Sequence, residues 1–450
     1  MTVSARVYFP VILALALSAG VGGVFLWQIH SSVGIIESAF RVQGGTTNLL
    51  KKILPGKNAV TLDSTVRSQA LMELRQGEVF ELKGEWKQAE DHYQKSADAG
   101  GGIPALRKLA SIQLQRREYD PAGQTIAKLK DGNEAGDSVA LLEGLLALRK
   151  GDANGAEAIF KRQATSPQSE YGLGLVALSR ADHATAKKEF SLAAESSDTT
   201  IRAYAKIILA AYDEFALFPE GQDVHLLTLL ARALAQVNEC ETALPLLNSV
   251  VTRQERYRDA WIVKGYCEFT SERLKDALTS LEQAYSLDPE KPEIQYFLAR
   301  THAALGDPQN AVTFLQYALI NGFQPEKDAR ELLAEYAQEL GNTELALEQY
   351  KILAETPDSD LTAYQRYVDL AAGSTTHALD ALSVAKESLL RWPNDAGALT
   401  LAAKSALGAG LPDDANTYVS SALKIDPRNP GALEVQAAIK KAGASPAVNK

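Results

Sequence analysis

The sequence predicts an all-α chain, a tandem array of paired helices behind one N-terminal membrane-spanning helix. Three observations carry this. Ala, Leu, Glu, Lys and Gln outweigh the β-branched and aromatic residues, a composition that favours helix. An alanine recurs at a near-constant period, twelve residues after a small residue and four before a bulky one. The segment from Val7 to Ile29 reads VYFPVILALALSAGVGGVFLWQI, and no charged residue occurs from Val7 to Ile36.

The 450 residues exceed what one compact domain needs, so several domains or an elongated array is expected. Hydrophobic residues make up 46% and charged residues 23%, a folding composition. The net charge is -10 and no basic block is long, so a nucleic-acid surface, which needs concentrated positive charge, is not expected.

The apolar segment defines the first elements: a tail over 1–6, an anchor over 7–30 and a juxtamembrane spacer over 31–67. At about 1.5 Å per residue the apolar stretch spans roughly 35 Å, enough for a hydrocarbon core of about 30 Å. Trp27 sits near its far end, where an amphipathic ring suits the lipid–water interface. Arg6 precedes it and Arg41 follows at a distance, which favours a cytoplasmic N-terminus and an extracytoplasmic repeat region. The alternative is a cleaved signal peptide and a secreted or periplasmic protein, because Ala14-Leu15-Ala16 and Ser18-Ala19-Gly20 offer small-residue cleavage sites. Gly20, Gly22 and Gly23 with Ala16 and Ala19 give small-residue spacings through which two anchors could pair into a homodimer.

The repeat signal runs through Gly77–Ala89–Tyr93, Gly144–Ala156–Phe160, Gly174–Ala186–Phe190 and Ala231–Ala243–Leu247. It continues through Gly265–Ala277–Leu281, Ala299–Ala311–Leu315, Ala334–Ala346–Tyr350 and Ala403–Ala415–Val419. Each triplet reads as a helical hairpin. The two small residues let antiparallel helices approach, and the bulky residue fills space between hairpins. In five triplets a glycine follows the first small residue by seven (Gly84, Gly151, Gly306, Gly341, Gly410), where it supplies the turn. Degenerate hairpins are expected around 105–130 and 361–392. Ala186 to Ala243 breaks the period, so two arrays are expected, 68–217 and 224–443, joined by a loop at 218–223. The second array ends in a capping helix, with a disordered tail over 444–450.

This pattern resembles the tetratricopeptide repeat family, most closely at Trp261-Ile262-Val263-Lys264-Gly265-Tyr266 followed by Ala277, Ala284 and Pro289. Glu268 stands where that family usually has an aromatic residue. The resemblance implies a right-handed α-solenoid and a non-catalytic protein-binding role, in a membrane-anchored bacterial member. First helices would line a concave groove that holds proteins or peptide segments. The groove residues would be Ile262, Tyr266, Phe269, Tyr296 and Arg300, followed by Asp328, Glu331, Glu335 and Gln338. The lysine–asparagine clamp of chaperone-docking members is replaced here by Ile262 and Tyr266. Two roles fit: a scaffold for envelope assembly, secretion or surface-structure biogenesis, and a non-catalytic subunit of a membrane-bound polysaccharide or peptidoglycan enzyme.

Chemistry finds little purchase. The six histidines are scattered, and neither a zinc-protease helix, a phosphate-binding glycine loop nor a nucleophile elbow is present. Glu331, Glu335 and Glu339 form an acidic stripe at four-residue spacing, read as a solvated or groove-facing face. His377 after Ser374-Thr375-Thr376 reads as a turn and cap. No catalytic residue, cofactor or metal is therefore expected. Cys240 and Cys267 lie on helices that should pack antiparallel with both positions at one end. That placement admits a disulfide outside the cytoplasm, but two buried unpaired thiols are the expected state.

Overall fold

The computed structural model describes residues 62–444, apart from 132–136, 164–165, 219, 358 and 372–375. The predicted anchor at 7–30, its flanking tail and most of the spacer lie outside the described residues, as does the tail beyond 444. Among the described residues there are 22 α-helices and no strand, and none of those helices is long and apolar enough to cross a membrane.

The helices form two compact units, one ending at Pro289 and the other beginning at Glu290. The first unit contains α1 (Leu62–Lys83), α2 (Trp86–Asp98), α3 (Gly102–Gln115), α4 (Tyr119–Asp131), α5 (Asp137–Arg149), α6 (Ala153–Arg162) and α7 (Pro167–Ser179). It continues with α8 (His183–Ala193), α9 (Thr199–Ala216), α10 (Asp223–Gln236), α11 (Cys240–Arg253), α12 (Arg258–Thr270) and α13 (Leu274–Leu287). The second unit contains α14 (Pro292–Ala304), α15 (Pro308–Ile320), α16 (Glu326–Glu339), α17 (Thr343–Glu355), α18 (Leu361–Ala371), α19 (Ala378–Arg391), α20 (Ala396–Gly408), α21 (Pro412–Ile425) and α22 (Pro430–Ala444). The predicted division at 218–223 is a loop inside the first unit, and the helices on its two sides, α9 and α10, pack on each other. That contact makes one body of what the break in period divides.

Consecutive helices pair as hairpins, and the recurring alanine explains why. All eight central alanines are fully buried, at 0% exposure. The bulky residue four positions on lies against the small residue of its own first helix. A Cβ on Gly77 would stand 2.5 Å from the Tyr93 ring, and one on Gly265 2.6 Å from Leu281. Phe160 also reaches into the next hairpin, where a Cβ on Gly172 would meet its ring at 2.4 Å. The bulky side chain therefore locks its own hairpin as well as the step to the next.

The turn position is equally regular. Gly84, Gly151, Gly306, Gly341 and Gly410 all adopt positive φ. The equivalent positions without glycine, Arg117, Ala181, Asn238 and Glu272, adopt it too, at φ from 57° to 62°. In four hairpins a further pair faces across, three residues after the small residue and three after the alanine. Phe80 stacks on His92, Thr125 donates to Gln113 at 2.8 Å, Ser280 donates to Glu268 at 2.6 Å, and His302 stacks on Phe314. Glu268 is buried and also paired with Lys264. A polar triad thus fills the place that an aromatic residue takes in the family pattern.

Candidate functional site

The predicted groove residues fall in different units: Ile262, Tyr266 and Phe269 in the first, Tyr296, Arg300, Glu331 and Glu335 in the second. In the first unit all three lie on α12 and are half-buried. Tyr266 packs with Trp261 and Val263 against the unit's main core, so its ring serves packing. That core is continuous from Leu114 on α3 to Cys267 on α12 and includes Tyr171 and Leu234. Tyr266 is thus engaged by the unit's own core.

Cys240 and Cys267 are not the unpaired thiols expected but are joined as a disulfide, because the antiparallel packing of α11 and α12 brings their Cα atoms to 5.0 Å. Both residues are buried, and the Thr270 hydroxyl lies 3.4 Å from the Cys240 sulfur. The bridge ties the start of α11 to the end of α12.

In the second unit the first helices of the hairpins are α14, α16, α18 and α20. Tyr296 differs from its expected place. It is 7% exposed, stacked face to face on Phe323 at 4.1 Å between centroids, and covered by the Arg300 guanidinium at 5.8 Å. Phe323 comes from the loop after α15, which the helical spacing alone does not place there. Arg300 is consequently held over the ring in a half-buried position.

The acidic stripe on α16 is also less free than its spacing implies. Glu335 is exposed and accepts from Arg366 on α18 at 2.6 Å. Arg366 lies over the Tyr350 ring at 5.9 Å, and Asp369 on α18 pairs in turn with Lys404 on α20. Each step between neighbouring first helices from α16 to α20 therefore carries one opposite-charge pair. Glu331 is half-buried, with Lys327 at 4.0 Å. Burial pushes its carboxyl above the usual range, and Asp328 and Glu335 add to that, against the opposing pull of Lys327 and Arg366. Burial likewise raises the phenol of Tyr336 on the same helix. Gln338 and Glu339 are exposed at its end. Neither Arg366 nor Lys404 is among the groove residues the sequence predicts. Their signal was present as opposite charges about one repeat apart, at equivalent places on successive first helices.

Among the described residues no cluster of His, Cys, Asp and Glu could hold a metal ion. The His377 Nε2 lies 2.9 Å from a Glu344 carboxylate oxygen, and His377 is the residue before Ala378 at the start of α19. What the first-helix surface offers is a set of half-exposed ion pairs and phenol edges, the chemistry of reversible contact with another polypeptide.

Two family models described as tetratricopeptide repeat match the chain, over residues 228–292 and 268–335. The DnaJ homolog subfamily C member 7 homolog of Dictyostelium discoideum is 35% identical over 92 residues, covering 19% of this chain and 17% of that protein. Among solved structures, YrrB, a tetratricopeptide protein described as having an unusual peptide-binding site, is 18% identical and covers 42% of this chain and 97% of its own, with a TM-score of 0.35. PilW, described as a widely conserved type IV pilus biogenesis factor, is 20% identical and covers 48% of this chain and 99% of its own, with a TM-score of 0.33. The chain carries tetratricopeptide repeats, matched by sequence over residues 228–335.

Proposed function

We propose that this protein is a membrane-anchored scaffold that holds another protein on the first-helix face of its second unit, in the assembly or secretion machinery of a bacterial envelope. The observation that carries the reading is the row formed by Arg300, Glu335, Arg366, Asp369 and Lys404. It lies on successive first helices of a repeat whose members bind proteins or peptides. Its pairs are half-exposed, so a partner's charged side chains can exchange with them at little desolvation cost. Binding of that kind is salt-sensitive and reversible.

The anchor rests on the uncharged run at 7–36, and the orientation on Arg6 and Arg41. Extraction of native membranes at alkaline pH tests it. The intact chain should stay with the membrane. Release of a chain shortened by roughly 20–25 residues would favour the cleaved signal instead. The binding face is tested by reversing Glu335 to Lys, which sets two cations together at the first step of the row. Recovery of the partner from detergent extracts should fall about tenfold while the helical signal is unchanged. Undiminished recovery would place the partner elsewhere.

A further inference from the structure

We infer that residues 48–54 dock on α1 as a short helix that closes the N-terminal end of the first unit, in the place a preceding hairpin would take. The repeat register carries this. In later hairpins the residue five before the small residue is pressed against the second helix of the hairpin before it. Val139 clusters with Ile126 and Leu129 of α4, and Ala260 shares a core with Leu247 and Val250 of α11. Ala105, Ser169, Ala329 and Ala398 hold the same position, and none of the six is more than 3% exposed. Leu226, the least covered residue at this position, is still half-buried. In α1 the position is Met72, at 62% exposure, with Leu71 beside it at 55%. Two large apolar side chains therefore stand open where no hairpin precedes α1, at an end that a repeat array has to cover.

The chain just before α1 supplies the occupant. It reads Asn48-Leu49-Leu50-Lys51-Lys52-Ile53-Leu54, followed by Pro55-Gly56. At helical spacing Leu49, Leu50, Ile53 and Leu54 share one face and Lys51 and Lys52 the other, and the Pro-Gly pair ends the run. The reach is sufficient. Residues 55–61 span at most about 25 Å when extended, and Met72 lies about 15 Å along α1 from Leu62. α1 is also lengthened at this end: Gly77 is its sixteenth residue, whereas Gly174 is the eighth of α7 and Gly265 the eighth of α12. The added turns extend the wall along which a returning segment can lie. On so short a link the segment meets Met72 at an effective concentration of roughly a millimolar, which favours it over a second copy of the chain. With the anchor as proposed above, docking leaves residues 31–47 as the tether between membrane and array.

Cross-linking in the full chain tests the cap. One variant carries Ile53→Cys with Met72→Cys, the other Lys51→Cys with Met72→Cys, and a short bis-maleimide joins thiols within reach. Cys240 and Cys267 are bonded to each other and buried, so they do not react. Mass spectrometry of the linked peptides reads the result. The Ile53 pair should link within one chain about tenfold faster than the Lys51 pair, because a docked helix presents one face where a loose tether presents both. Equal rates from the two pairs would overturn the cap and leave only a tether. Links between two chains would overturn it in favour of a second copy on α1. No link from either pair would overturn it as well, as for a segment that lies on the bilayer surface. Met72 is exposed, so its replacement leaves the packing of α1 intact. None of these outcomes depends on the alkaline extraction that tests the anchor.

Discussion

At the scale of single residues, the fold turns on where bulk is allowed. Phe160 sits between Gly144 of its own hairpin and Gly172 of the next, so neither glycine can gain even a methyl group without the ring moving. In an exposed helix, Gly→Ala would add up to about 1 kcal/mol of stability. Here the added Cβ of Gly172→Ala meets a buried ring, and the expected outcome is a loss of about 1–3 kcal/mol. Urea unfolding measures it, and combining Gly172→Ala with Phe160→Leu should recover much of the loss because the ring is the obstacle. The same logic explains the misplacement of Tyr296. Its position on α14 reads as outward from spacing, but spacing says nothing of Phe323, which arrives from a loop and covers it.

At the scale of the hairpin, most of the architecture was legible because one rule repeats. The small residue, the turn, the alanine and the bulky residue have fixed offsets, and the helices begin and end accordingly. The hairpin expected to be degenerate around 105–130 obeys the rule as well: Ala110, Ala122 and Ile126 are all buried, with Arg117 at the turn. The triplet Ala110–Ala122–Ile126 keeps the same offsets and was legible in the sequence. The hairpin α18/α19 departs further. Ala385 replaces the bulky residue, and Tyr364 and Tyr367 supply the volume from the first helix instead. The turn offset carries its own prediction. Ala181 holds a positive φ with only a methyl side chain, so Ala181→Gly should stabilise by about 0.5–1 kcal/mol in thermal or urea unfolding. Arg117→Gly relieves the same backbone but forfeits the contact with Glu241, and should gain nothing.

At the scale of the whole chain, what sequence could not show is long-range pairing. Arg149 and Glu239 are 90 residues apart, and Arg116 and Glu272 are 156 apart, on surfaces that local periodicity leaves blank. These contacts join hairpin ends within the first unit, whereas the proposed binding face lies on the second unit. The acidic face expected there is instead a ladder of opposite charges, because Arg366 and Lys404 come from the neighbouring first helices. The most direct test of the account is site-specific photo-crosslinking in the native cell, with the reactive residue at Glu335 or Gln338 on α16 and, as the comparison, at Tyr317 or Ile320, exposed on the second helix α15. A discrete protein adduct is expected from the α16 positions and none from α15. Adducts from α15 alone, or from neither helix, would contradict it.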